Sequence, residues 1–179
     1  MPQRRFAQLR NGVVLAELGG YGDGPYCARH AAGAALAMMG TYIVAPGDDV
    51  SYPSEFVFKP GRQSYAAYLR QHVAAARAGG CAVGVSAISV ALEHTLDFLM
   101  AAEEAGADYA SLCAYSEMDM FTREGLGLAL CDPSNRHLLR RWSRALAKAL
   151  RIPVIFKIGL GPLDETIEVE LREEELRVD

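Results

Sequence analysis

The chain has 179 residues, 51% of them apolar, which is enough to bury a sizeable core without metals or disulfides. A formal charge of -4, with both signs spread along the sequence, excludes whole-surface attraction to nucleic acid or anionic lipid, so an RNA contact would have to be a local patch. Cys27, Cys81, Cys113 and Cys131 form no CxxC pair and follow no secretory signal, which points to reduced thiols in a cytoplasmic protein; no stretch approaches the roughly 20 apolar residues that span a bilayer.

Residues 12–18 form the first apolar run, closed by Gly19 and Gly20, and a helix is predicted over 24–32. A second run, 34–39, leads into a long loop rich in Gly, Pro and Asp that ends near Arg62. Over 63–78, Tyr65, Leu69, Val73 and Ala76 recur at steps of three and four, the spacing of one buried helix face. A strand is predicted over 81–88 and a helix over 92–105 that turns Leu92, Leu96, Leu99 and Met100 inward and is stopped by Gly106. Residues 108–115 read as a strand followed by a loop, and 134–150 as a helix with the stripe Leu138, Leu139, Trp142, Leu146 and Leu150. Residues 153–158 read as a short buried strand. The tail, 163–175, starts like a sixth alternation and runs into an acidic stretch over 172–179.

Strands apolar on both faces, alternating with helices, predict a parallel sheet covered by helices. Five such units make one α/β domain over 1–179, either a partial TIM barrel or a doubly wound open sheet, which periodicity does not separate. An arc cut from a barrel leaves its first and fifth strands with unpaired backbone and leaves inward residues such as Val14, Leu36, Val85, Leu112 and Ile155 without partners. The chain is then expected to self-associate through those open edges, to cover them with a helix over 163–176, or to be poorly soluble and marginally stable.

Three segments carry a family likeness: Val-Val-Leu-Ala-Glu-Leu-Gly-Gly-Tyr-Gly-Asp-Gly-Pro-Tyr-Cys over 13–27, residues 106–116 with 125–133, and Pro-Val-Ile-Phe-Lys-Ile over 153–158. In this order and spacing the chain resembles the first five β/α units of the flavin-dependent dihydrouridine synthases and their archaeal relatives, and this likeness favours the barrel over the open sheet. That resemblance implies an FMN oxidoreductase acting on a pyrimidine-type ring, either in tRNA or as a pyrimidine-like small molecule, with the flavin at the C-terminal mouth of the barrel. Lys157 matches the family lysine that contacts the flavin, Leu18, Gly19 and Gly20 match the turn that approaches its ring, and Ser86 stands where the family offers a glutamine. Cys113 takes the place of a family asparagine, Ser116 that of the proton-donating cysteine, and Glu17 that of a proline, so Cys113 and Ser116 are the candidate catalytic residues of a degenerate site. An alcohol is a far weaker acid than a thiol. A complete barrel needs about 250 residues, and this chain stops near where a sixth strand should start.

Two other readings stand beside that one. The chain is a catalytically inactive barrel fragment acting as a binding or assembly subunit, or it is a lyase or aldolase barrel with Lys157 as a Schiff-base lysine. Lys157 either faces a ligand or snorkels to water, and Cys113 doubles as an ordinary packing residue. Asp23 reads as a helix cap. Cys27 with His30, and Asp48 with Asp49, lack the further ligands of a metal site. Arg136, Arg140, Arg144 and Lys148, four apart, form a basic stripe that is either a solvated helix face or a track for an RNA backbone.

Overall fold

The structure, a computed structural model, describes residues 9, 11–47 and 50–158. Its sheet consists of β1 (Val13–Leu15), β2 (Ala34–Val44), β3 (Val57–Phe58), β4 (Ala82–Ile88), β5 (Tyr109–Ala114) and β6 (Val154–Ile158). The strand order is β1-β2-β4-β5-β6, every pairing is parallel, and β3 extends the β1 side of β2. Helices α1 (Gly24–His30), α2 (Ala66–Arg77), α3 (Leu92–Glu104), α4 (Asp119–Thr122) and α5 (Arg136–Ala149) fill the crossovers. This is the five-stranded arc of a (β/α) barrel, the partial TIM barrel expected over an open sheet of the same alternation.

Local signals place the elements. Asp23 caps α1, its carboxylate accepting the Tyr26 N–H at 2.7 Å, with Pro25 in the first turn. Gly24 lets α1 lie directly on α2, because a Cβ there would stand 2.2 Å from the His72 carbonyl oxygen. Two elements inside predicted loops were not legible as such: β3, which follows a 3-10 turn at Ser54–Phe56, and α4.

Register decides what each strand shows to the two sides of the sheet, since alternate residues face opposite ways. Ala37, Met39, Val83, Val85, Ala110 and Leu112 join the large core under the helices. Leu36, Met38 and Tyr109 form a separate small cluster on the inner face, and Ser111, Ile155 and Lys157 line a cleft there. Val85 and Leu112 therefore point away from the barrel interior, contrary to the inward set expected from sequence. They pair laterally with Ala110 and Phe156 on the helix side, one residue out of phase with the inner face.

The densest packing is aromatic. Phe98 of α3 meets Tyr65 at 4.7 Å, Tyr42 at 5.5 Å and Phe58 at 5.7 Å between ring centroids. The buried face of α3 is thus Thr95, Phe98, Leu99, Ala101 and Ala102, while the expected Leu92, Leu96 and Met100 sit at its margin. The predicted face of α2 holds, with Tyr65, Leu69, Val73 and Ala76 all buried. At the rim of this cluster Asp97 accepts hydrogen bonds from the Tyr65 hydroxyl and from Arg62 Nε, the latter at 2.8 Å. Burial pushes the Asp97 carboxyl up, but the bonds from Tyr65 and Arg62 together outweigh it and hold it below the ordinary carboxylate range. A depressed folded-state pKa gives stability that is complete above the unfolded value and is lost as pH falls through the folded one. The stability advantage of the native chain over Asp97→Asn is therefore expected to be full at neutral pH and to shrink below about pH 4 in urea titrations.

The edges of the arc are as the strand count implies. Among the described residues β1 and β6 each pair with one strand only along their own path, and Val13 and Leu18 beside the β1 edge are 69% and 47% exposed. The expected helix over 163–176 lies outside the described residues, as do Asp48 and Asp49. No helix among the described residues is long and apolar enough to cross a membrane.

Candidate functional site

Parallel strands bring all their C-terminal ends to one rim, and the polar residues that interrupt otherwise apolar strands collect there. Glu17 follows β1, Thr41 and Ser86 lie in the later parts of β2 and β4, and Lys157 is the penultimate residue of β6. The register of β2 against β4 shifts between Met39 and Tyr42, which turns Thr41 onto the inner face. Gly40 makes this possible: its φ is +107°, and a Cβ there would stand 2.5 Å from the Ser86 carbonyl oxygen.

The centre of the cluster is Glu17. Its side chain is 5% exposed and its Oε1 accepts a hydrogen bond from the Ser86 hydroxyl at 3.1 Å. The same oxygen lies 3.5 Å from Lys157 Nζ. Ser86 is fully buried and its hydroxyl also meets that of Thr41 at 3.4 Å, so the carboxylate is held from below by a short hydroxyl chain and faced by an ammonium from the side. A buried carboxylate without such partners would be strongly disfavoured. The lysine is half-open, with 36% of its side chain exposed, and its nitrogen lies 5.8 Å from the centre of the Tyr115 ring, within cation–π range. Beside the pair opens a cleft of about 350 Å³, walled by Val14, Ala16, Met38, Ser111, Ile155 and Ile158.

Tyr52, from the connection between β2 and β3, closes the other side. Its hydroxyl donates to the Thr41 carbonyl at 3.1 Å. Burial, then the neighbouring Cys113 and Glu17, push this phenol up to about 12, so it remains a donor at neutral pH.

Each residue singled out from sequence has a definite place. Lys157 and Ser86 stand in the cluster itself. Cys113 is laterally paired with Lys157 and buried on the inner face. Ser116 lies beyond the strand, where its hydroxyl accepts the Met118 N–H at 3.4 Å and its carbonyl accepts the Leu128 N–H at 2.9 Å, so it shapes the turn into α4. The Leu18 carbonyl accepts the N–H groups of Tyr21 and Gly22 in a tight turn. Gly19 is covered by the Tyr52 hydroxyl and Gly20, at φ +79°, by the Pro53 ring; a Cβ on either would collide with these groups.

Three further residues were not found as site residues from sequence: Glu17, Thr41 and Tyr52. For Glu17 a signal existed, an acidic residue at the end of an apolar strand, and it was read only as a departure from a family proline. Cys27 is no metal ligand: its thiol donates to the Met38 carbonyl at 3.7 Å and burial pushes it up to about 12. The described residues contain no group of three or more His, Cys, Asp or Glu able to hold a metal. The basic stripe on α5 is exposed, and Arg136, Arg140, Arg141 and Arg144 border an open groove with Ser134 and His137.

The likeness to dihydrouridine synthases does not survive this geometry. Lys157 is turned to Glu17, Ser86 is spent on the same carboxylate, and Gly19 and Gly20 lie under Tyr52 and Pro53 rather than open to a flat ring. FMN entered only through that resemblance. No protein-family description and no curated protein matches the chain. Among solved structures it is similar to a dihydrodipicolinate synthase, at 15% identity over 74% of this chain and 38% of that one, with a TM-score of 0.44. It is also similar to a phosphonopyruvate hydrolase complexed with oxalate and Mg, at 16% identity over 82% of this chain and 54% of that one, with a TM-score of 0.43. The chain therefore spans about two fifths and about half of these two structures. Neither is a flavin-dependent dihydrouridine synthase; it is on the placement of Lys157, Ser86, Gly19 and Gly20 that the expected flavin oxidoreductase, with the pyrimidine ring and tRNA it implied, is corrected.

Proposed function

We propose that the chain acts on a carbonyl compound as a lyase of the aldolase type, with Lys157 forming an imine to its substrate. One observation carries this reading: a lysine at the C-terminal end of a barrel strand, half-open to a cleft, whose nitrogen lies 3.5 Å from a buried carboxylate. Imine formation joins Nζ to the carbonyl carbon and expels the carbonyl oxygen as water, so the amine must lose protons and that oxygen must gain them. Glu17, fixed by Ser86, is the group placed to take the first proton and to give it back. The resulting iminium draws the electron pair of the Cα–Cβ bond into itself as that bond breaks, leaving a neutral enamine, while the β-hydroxyl of the departing fragment gives its proton to Glu17 and that fragment leaves as an aldehyde or ketone. The positive charge of the iminium before cleavage is matched by the Glu17 carboxylate and lies beside the face of Tyr115. Butanal followed by borohydride is expected to add one butyl group per chain, seen by intact mass, and to add none to Lys157→Met at the same concentration. Equal uptake by both proteins would refute the reading.

Two coarser properties accompany it. The four free thiols support a reducing, cytoplasmic setting. Exposed Val13, Leu18 and Tyr21 support self-association along the β1 edge. Light scattering is expected to show a concentration-dependent mass that Val13→Lys lowers; a monomer at every concentration would sink this part.

A further inference from the structure

The cleft beside Lys157 also constrains what reaches it. Resting on the imine reading of Lys157, we infer that the carbonyl compound is uncharged and apolar-bodied, an aliphatic or aromatic aldehyde or ketone, and not a carboxylated or phosphorylated one. The described walls of the cleft are apolar side chains from three strands or their ends, among them Val14, Ala16, Met38 and Ile155, with the Ser111 hydroxyl from a fourth. Its charged lining residues are Glu17 and Lys157, and these already face one another at 3.5 Å.

Charge balance does the selecting. Once Lys157 has become an iminium, its single positive charge is answered by the single negative charge of Glu17, and the cleft is neutral. A substrate carboxylate or phosphate would add negative charge against apolar walls, next to a carboxylate that is itself buried, with no second cation among the described lining residues. Among the described residues the basic cluster of Arg136, Arg140, Arg141 and Arg144 borders a different groove, on α5. An apolar body, by contrast, gains contact with Met38 and Ile155, and each buried methylene is worth about fourfold in affinity. The volume of about 350 Å³ sits at the small end of ligand pockets, which suits a body of several carbons rather than a nucleotide.

Four aldehydes separate these contributions: propanal, hexanal, butanal and succinic semialdehyde, the last being butanal with its far end turned into a carboxylate. Each is trapped with borohydride on the intact protein, and label on Lys157 is divided by label on Lys59 and Lys148 in the same digest, which cancels the intrinsic reactivity of the aldehyde. Hexanal is expected to exceed propanal by at least about tenfold on this ratio, and butanal to exceed succinic semialdehyde by about tenfold or more. Succinic semialdehyde equal to or above butanal, or no gain from propanal to hexanal, would overturn the inference while leaving imine formation in place. No preferential label on Lys157 from any of the four would overturn the imine reading itself and this inference with it.

Discussion

Phe98→Ala is expected to destabilise the fold by about 3–5 kcal/mol, the range for removing a buried phenylalanine that leaves a cavity. Phe98 is fully buried and forms the hub at which Tyr42 of β2, Phe58 of β3 and Tyr65 before α2 meet α3. Three separate elements between residues 42 and 65 lean on the one ring, so the surroundings cannot collapse into the space without moving the sheet. The exchange also loses the ring–ring geometry, worth about 1 kcal/mol per pair beyond area. Urea titration followed by Trp142, which is buried on the neighbouring helix α5, reads the loss. Phe98→Leu is expected to keep most of the stability. A loss below about 1 kcal/mol for the alanine variant would mean that this cluster is not the keystone of the arc.

Glu17→Gln has its large effect on chemistry instead. The amide keeps the shape and can still receive the Ser86 hydroxyl, but it neither takes a proton from Nζ nor answers the charge of an iminium. The rate of imine formation at Lys157 is expected to fall by about a hundredfold or more, the usual contribution of a positioned acid–base group. Rapid quenching with borohydride after short exposure to aldehyde measures that rate. The same time course on Ser86→Ala, in which the carboxylate remains but loses its anchor, is expected to show a smaller fall. Unchanged rates in Glu17→Gln would reduce the Glu17–Lys157 contact to a structural ion pair.

The arc itself was legible because its signals are local. Period-three-and-four spacing fixes α2 through Tyr65, Leu69, Val73 and Ala76, and short apolar runs fix β4, β5 and β6 to within a residue or two of Ala82–Ile88, Tyr109–Ala114 and Val154–Ile158. The inner face was harder to read, because strands apolar on both sides carry no alternation to set their phase. Val85 and Leu112 were assigned inward for that reason, and lateral pairing with Ala110 and Phe156 places them under the helices. The aromatic hub was hidden by β3, whose Phe58 lies in a stretch that Pro53, Pro60 and Gly61 mark as loop. On α3 the large side chain of Phe98 set the buried face, and Leu92 and Leu96 were left at its edge.

The site divides in the same way. Lys157 stood out as a charge within Val-Ile-Phe-Lys-Ile, a local anomaly. Its partner did not, since Glu17 and Lys157 come from opposite ends of the chain and from strands β1 and β6 that do not pair with each other. Only the curvature of the sheet brings them within 3.5 Å. Tyr52 belongs to a connection whose path no periodicity describes, yet its hydroxyl covers Gly19 and holds Thr41 in place. The glycines that looked like a ring-binding turn are small for a different reason, the close approach of Tyr52 and Pro53.

The sequence contains three lysines, Lys59, Lys148 and Lys157, and this makes one measurement decisive. The native protein is incubated with hexanal, reduced with borohydride and digested, and the hexyl group is located by mass on each lysine-containing peptide. The Glu17–Lys157 site predicts label concentrated on Lys157 at aldehyde concentrations that leave exposed Lys148 unmarked. Label spread evenly over the three lysines, or Lys157 left unmodified while the others react, would contradict it.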